Sequence, residues 1–170
     1  LSLRVLLGAR QAAISVSDTS PASLAEVAAR AVAMAREAPE DPNIGLAPAD
    51  ALAEERDAAR LDLADPEGEP DPADLEASAR TAAAAALAVP GVTQCQGAGA
   101  SYGRREIFLG ATNGFAAETE RTSSSLSAVA SSGEGSGMER DYDGDSRVYR
   151  ADLRSAEEIG REAGTRTIER

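Results

Sequence analysis

The chain opens with apolar residues at every second place. Leu1, Leu3, Val5 and Leu7 alternate with Ser2, Arg4 and Leu6, and after Gly8 the same period returns with Ile14 and Val16 set between Ala13, Ser15 and Ser17. Period-two alternation is the mark of a half-buried strand, so this stretch predicts a hairpin turning around Gly8 to Gln11. From Ser20 the period lengthens. Ser20 suits an N-cap and Pro21 the first helical turn, while Leu24, Val27, Ala28, Ala31, Val32 and Ala35 share one helical face. Pro39 ends that helix, because proline cannot donate and clashes with the preceding turn.

Periodicity then fades. Residues 39–72 carry Pro39, Pro42, Pro48, Pro66, Pro70 and Pro72 among many acids. They predict a long surface connection, mobile in part, with one short helix over Ala49 to Arg60. Asp71-Pro72 starts a second long helix running to about Val89. Its apolar face is Leu75, Ala79, Ala82, Ala83, Ala86 and Leu87, and its alanines have the best intrinsic helix propensity. Pro90-Gly91 stops it.

Beyond Val92 the period is two again, predicting strands near 92–101, 104–111, 115–123 and 125–132. Tyr102-Gly103 and Asn113-Gly114 serve as the first two turns, Asn-Gly being a strong hairpin signal. The third turn, between Thr122 and Ser125, lacks glycine. Gly133 to Gly137 reads as a bent exit, and Ser155 with Glu158 as a capping box opening a last helix that carries Ile159 and Ala163 inward. The expected fold class is α+β, a mostly antiparallel sheet (hairpin plus meander) packed with three to four helices. Residues 1–170 read as a single domain, with 40–72 as an acidic, proline-rich connection inside it. The start at Leu1 and the end within a helical pattern at Arg170 read as a fragment of a longer protein.

Composition narrows the chemistry. Of 170 residues 29 are acidic and 17 basic, for a net charge of −12; every basic residue is Arg, and His and Lys are absent. A field of that sign repels phosphate backbones and anionic bilayers, so neither nucleic acid nor membrane is an expected partner. No apolar run approaches the ~18 residues of a membrane-spanning helix, and no signal peptide is visible. Only 3% of residues are aromatic, so the core must be built from small side chains. Cys95 is alone, which rules out an internal disulfide and fits a reducing cytosol.

Without His or Lys, no Ser-His-Asp, Cys-His, Ser-Lys or HExxH arrangement can be assembled. Gly97, Gly99 and Gly103 have the wrong spacing for a dinucleotide fingerprint, and a strand pattern follows where a helix N-terminus is needed; a bulge or close backbone approach is expected instead. Asp141, Asp143 and Asp145 imitate a calcium loop, but Gly144 is fourth where the sixth place requires glycine, so a solvated acidic turn is expected. Cys95 is expected to be a small buried residue within a strand. Arg104-Arg105 reads as a solvated hairpin end, with gripping a carboxylate as the other use. The serines from Ser123 to Ser132 mark a polar strand face, which could meet solvent, line a cavity or border an extended peptide. No catalytic, cofactor-binding or metal-binding residue is assigned.

Several strings resemble one family. Leu7-Gly8-x-Arg10-Gln11-Ala12, Ala31-Val32-Ala33-Met34-Ala35-Arg36, Thr112-Asn113-Gly114-Phe115, Gly137-Met138-Glu139-Arg140-Asp141-Tyr142-Asp143 and Ile159-Gly160-Arg161-Glu162-Ala163 occur in an order similar to the amino-terminal part of the TldD/PmbA "modulator of DNA gyrase" proteins, nearest the PmbA (TldE) branch. The resemblance implies a two-part protein. Its carboxy-terminal part carries a zinc-type HExxxH peptidase centre in TldD-like members, and PmbA-like members act as the supporting subunit. It implies a non-catalytic domain in a cytosolic metallopeptidase acting in proteolysis and peptide maturation, with no cofactor in this part and zinc in the carboxy-terminal domain or the partner. The implied partners are a TldD-like subunit or a second copy, with a peptide as substrate. The alternative is a stand-alone acidic interaction domain regulating a gyrase-related factor.

Overall fold

A computed structural model describes residues 1–170, the side chain of Ala58 excepted. The chain forms two compact units, Leu1–Ala53 with Ala111–Phe115, and Glu54–Gly110 with Ala116–Arg170.

The first unit holds the predicted hairpin and helix. Strands β1 (Ser2–Leu7) and β2 (Arg10–Ser15) pair antiparallel, with Leu7 opposite Arg10 across a two-residue turn. Gly8 takes a φ of 59°, a conformation that suits glycine. Helix α1 (Pro21–Glu37) begins as read from the sequence: the Ser20 hydroxyl accepts the Ser23 N–H, and Pro21 occupies the first turn. Of its apolar face, Val27, Ala31 and Ala35 are buried, while Ala28 is exposed. Arg10 fastens the helix end by donating from Nη1 to the Arg36 carbonyl at 2.7 Å. The Asn113-Gly114 turn forms as predicted: Gly114 has a φ of 87°, and Asn113 accepts the Phe115 N–H through its side-chain oxygen and donates to the Ala47 carbonyl.

Within 39–72 the single helix expected over Ala49 to Arg60 is replaced by two 3-10 turns, Ala49–Ala51 and Ala58–Leu61. A helix that short is marginal in water unless it buries an apolar face, and no residue of the first turn is buried.

The second unit is a three-stranded antiparallel sheet of order β3-β4-β5 with two helices. Helix α2 (Pro72–Leu87) is capped by Asp71, which accepts the Ala73 N–H. Strands β3 (Val92–Gly110) and β4 (Ala116–Ser132) are single long strands, so the expected turns at Tyr102-Gly103 and Thr122 to Ser125 do not exist. Tyr102 pairs with Ser124 and Gly103 with Ser123 in unbroken register. Gly103 has an ordinary strand conformation, and the pairing of β3 with β4 continues through it. The irregularities lie earlier, at Val92/Gln94 and Cys95/Gly97. Strand β5 (Glu139–Arg147) pairs with Ser124–Ser132 of β4. The capping box is present: Ser155 accepts the Glu158 N–H, Glu158 accepts the Ser155 N–H, and α3 (Ala156–Ile168) follows.

Ala82, Ala86, Leu126, Ala128, Ala130, Ile159 and Ala163 form the core of this unit. Small residues let α2 and α3 approach closely. A Cβ on Gly160 would sit 2.9 Å from both the Ala82 carbonyl carbon and the Ala85 Cβ. The expected α+β class is what the structure shows, with two antiparallel sheets of two and three strands and three α-helices.

Candidate functional site

The register divides the three-stranded sheet into two unlike faces. Ala98 opposes Ala128, Ala100 opposes Leu126, and these point to the face that carries the core with α2 and α3. Their neighbours point the other way: Gly97, Gly99, Ser101 and Gly103 on β3, Ser123, Ser125, Ser127 and Val129 on β4, and Tyr142, Gly144 and Ser146 on β5.

The helix face of β5 overturns one expectation. Asp141 to Asp145 is no solvated turn leaving the sheet; it is strand, and its three carboxylates alternate inward with side-chain exposures of 14%, 6% and 10%. Each is met by arginine. Asp141 Oδ2 accepts from Arg170 Nε at 2.6 Å. Asp143 lies 2.8 Å from Arg154 Nη2 and 3.4 Å from Arg166 Nη1. Arg154 Nη2 directs its hydrogen bond to the Gly144 carbonyl at 3.0 Å, so its contact with Asp143 is one of charge. Asp145 accepts from the Arg154 backbone N–H at 3.1 Å and from Arg147 Nε. The Tyr142 N–H and then Arg170 hold the Asp141 carboxyl below the usual carboxylate range; the Arg154 N–H and then Arg147 do the same for Asp145. Thr167 completes the seam, accepting the Asp141 N–H at 3.1 Å with a hydroxyl that lies 2.9 Å from the Ala163 carbonyl.

These carboxylates do not fit the zinc that the family implies. Guanidinium groups or backbone N–H donors already engage them, the chain supplies no imidazole, and among the described residues no three metal-ligating groups cluster. Their chemistry is structural: they bind α3 to the edge strand.

A second polar cluster was not foreseen. Thr122 is 1% exposed; its N–H donates to the Leu63 carbonyl at 2.9 Å and its hydroxyl to the Val148 carbonyl at 2.9 Å, while that hydroxyl accepts the Asp65 N–H at 2.8 Å. The Arg150 and Glu67 backbone N–H groups donate to Asp65 and lower its pKa. Tyr149 donates to Asp62, which raises the phenol's pKa. The acidic connection is thereby tied to the sheet. The signal lay in Thr122, the one β-branched polar residue at the start of a serine run.

The other predicted residues fall as follows. Cys95 is half-buried, its thiol 3.6 Å from the Gly97 carbonyl. Gly97 adjoins a bulge, as expected. Ser124 is buried on the helix side and Ser123 and Ser127 are exposed on the open face, while Ser131, of the open-face register, is buried near the end of β4. Arg104 and Arg105 do not act as a pair. Arg104 lies 2.8 Å from Glu120 and 3.5 Å from Glu106 on one face, and Arg105 occupies the other, opposite Arg121. In the first unit an open cleft of about 310 Å³ lies between β2 and α1, lined by Ile14, Ser15, Val16, Ser23, Glu26, Val27 and Arg30. Among the described residues no helix is long and apolar enough to cross a membrane.

A two-helix layer over one face of a small antiparallel sheet, with its inward acids facing arginine, defines an α+β module. The comparisons agree with that class. Residues 65–170 match the family model described as the PmbA/TldA metallopeptidase central domain, and the chain belongs to that family. A protein of Bacteroides thetaiotaomicron described as a candidate modulator of DNA gyrase superposes with a TM-score of 0.80 at 27% identity, over 98% of this chain and 38% of that one. TldE from Thermococcus kodakarensis gives 0.70 at 17%, over 97% and 36%. A candidate gyrase modulator of Thermotoga maritima gives 0.67 at 15%, over 98% and 36%. The last two show the fold alone. The chain spans less than two-fifths of each of these structures. No curated protein matches it in sequence.

Proposed function

We propose that this chain is a non-catalytic part of a PmbA/TldE-like subunit of a cytosolic TldD/PmbA-type metallopeptidase acting in proteolysis and peptide maturation. Its work is to pair with a TldD-like subunit, or with a second copy, and to wall the chamber that admits the peptide. The observation that carries this reading is the Asp141–Asp143–Asp145 ladder. In a chain without histidine, these carboxylates sit in a strand facing arginines, and Asp143 meets Arg166 of α3. Family membership supplies the peptidase context.

The test is to mix the full-length protein with a TldD-like subunit and follow co-elution and peptide hydrolysis. Co-elution, with peptide hydrolysis by the mixture and none by the chain alone, is expected. No association at low salt, or hydrolysis by the chain alone, rejects the proposal.

A further inference from the structure

The open face of the three-stranded sheet is segregated by charge. Every acid of the sheet, Glu106, Glu118, Glu120, Glu139, Asp141, Asp143 and Asp145, belongs by register to the helix side. The open face carries Arg105 directly opposite Arg121 and, at its other end, Arg140 opposite Ser131. All three arginines are exposed, and among the described residues none of their side chains makes an ion pair or hydrogen bond. Two like charges directly opposite on a sheet destabilise it, and among the described residues no ion pair relieves this pair.

The floor between those ends is equally unexplained by the fold. Gly97 borders the bulge after Cys95, but Gly99 and Gly103 lie in regular strand, where glycine weakens pairing. None has a positive φ, and a Cβ added at any of the three would meet nothing within 4 Å. Backbone conformation does not ask for glycine there, and neither does crowding from within the chain. Glycine on a strand face with empty space above it is what close approach by another backbone requires. Hydroxyls of Ser101, Ser123, Ser125 and Ser146 border the glycines and pair across the strands, Ser101 with Ser125 at 2.8 Å. Each retains hydrogen-bonding capacity for a polar occupant.

We infer that this face is a docking surface for an extended, carboxylate-bearing polypeptide segment. Its main chain lies over Gly97, Gly99 and Gly103, and its acids meet Arg105 and Arg121 at one end and Arg140 at the other. From Arg121 to Ser131 the strand advances about 33 Å, the reach of about ten extended residues. Charge complementarity selects the occupant. The only charges on the face are positive, and a single extended strand is narrow enough to stay on it. A nucleic-acid duplex is broader and meets the acids that give the chain its net charge of −12. The inference stands whichever subunit supplies the segment, so its failure leaves the proposed pairing untouched.

The experiment titrates the chain with a fluorescent peptide of about ten residues, Glu-Glu at one end, Glu at the other and Gly-Ser repeats between, read by anisotropy beside its Gln counterpart. The Glu peptide is expected to bind at low salt, to weaken as salt screens the contacts, and to exceed the Gln peptide by about tenfold. Arg105→Gln with Arg121→Gln is expected to remove that margin, while Arg30→Gln, exposed on α1, leaves it intact. Gly99→Val separates binding from folding: its side chain enters open space, so the melting temperature holds or rises, yet the floor is filled and binding is lost. Equal affinity for the two peptides, no measurable binding, full binding by Gly99→Val, or tighter binding of a DNA duplex overturns the inference.

Discussion

Gly160→Ala sets two effects of opposite sign against each other. In an isolated helix the change gains about 1 kcal/mol of helix propensity. In α3 the added methyl lands 2.9 Å from the Ala82 carbonyl carbon and from the Ala85 Cβ, and nearer still to the Ala82 oxygen. That oxygen is helix backbone and cannot rotate away, so α3 must draw back from α2 by about 1 Å, a gap that forfeits between a quarter and a half of the dispersion well for the facing atoms. Overpacking of this kind costs about 1–3 kcal/mol, and the loss is shared by Ala82, Ala86, Ile159 and Ala163, all at 0% exposure. A net destabilisation of about 2 kcal/mol is expected, a melting temperature lower by about 4–8 °C for a chain of this size. Urea and thermal melts followed by far-ultraviolet circular dichroism measure it. Gly164→Ala makes an internal comparison: its nearest neighbour is Val89 Cγ2 at 2.7 Å, which can turn aside, with the Ala86 oxygen at 2.9 Å, so a smaller loss is expected. Ala85→Gly in the Gly160→Ala background removes one contact and leaves the carbonyl, so it should not restore stability. A Gly160→Ala protein that melts at or above the parent refutes the close-packed seam.

Two further outcomes follow from the caps and the acidic cluster. Ser155→Ala removes the hydroxyl arm of the capping box of α3, leaving the backbone N–H arm to Glu158, and is expected to cost about 1 kcal/mol by the same melts; an unchanged midpoint contradicts the capping geometry. Asp65→Asn tests the pH dependence. Because its native pKa is lowered, the stabilisation from Asp65 is fully present above the unfolded value of about 3.9 and disappears as pH falls through the native value. The variant should therefore melt below the parent at neutral pH, with the gap closing in strong acid. Comparing the two proteins at each pH cancels the relief of acidic self-repulsion common to both, and a gap independent of pH speaks against Asp65 as a charged clasp.

Most elements were legible wherever one face is buried. The first hairpin, α1, α2 and α3 announced themselves by period and by caps at Ser20, Asp71 and Ser155. Reading failed where residue character and position disagree. Gly103 looked like a turn, although glycine serves in a strand whenever the space above is left empty. Asp141, Asp143 and Asp145 looked like a loop because acids seldom face inward; yet their alternation is itself period two, and the arginines that meet them, Arg154, Arg166 and Arg170, lie beyond the strand, so the pairing is invisible to local inspection. The stretch from Ala49 to Arg60 has helix-forming composition, and none of its described side chains is buried. The open face was beyond reach for another reason: its meaning depends on which side of each strand the helices cover, and only the register reveals that Arg104 and Arg105 part company.

The seam between α2 and α3 is built from Ala82, Ala86, Gly160, Ala163 and Gly164, residues with no rotamers to lose. Closing it freezes almost no side-chain freedom, so its cohesion is set against backbone ordering alone. It also has no alternative arrangement to fall back on, since methyl groups and bare backbone cannot reshuffle to heal a misfit. Such a joint is expected to open as a whole rather than to loosen by degrees.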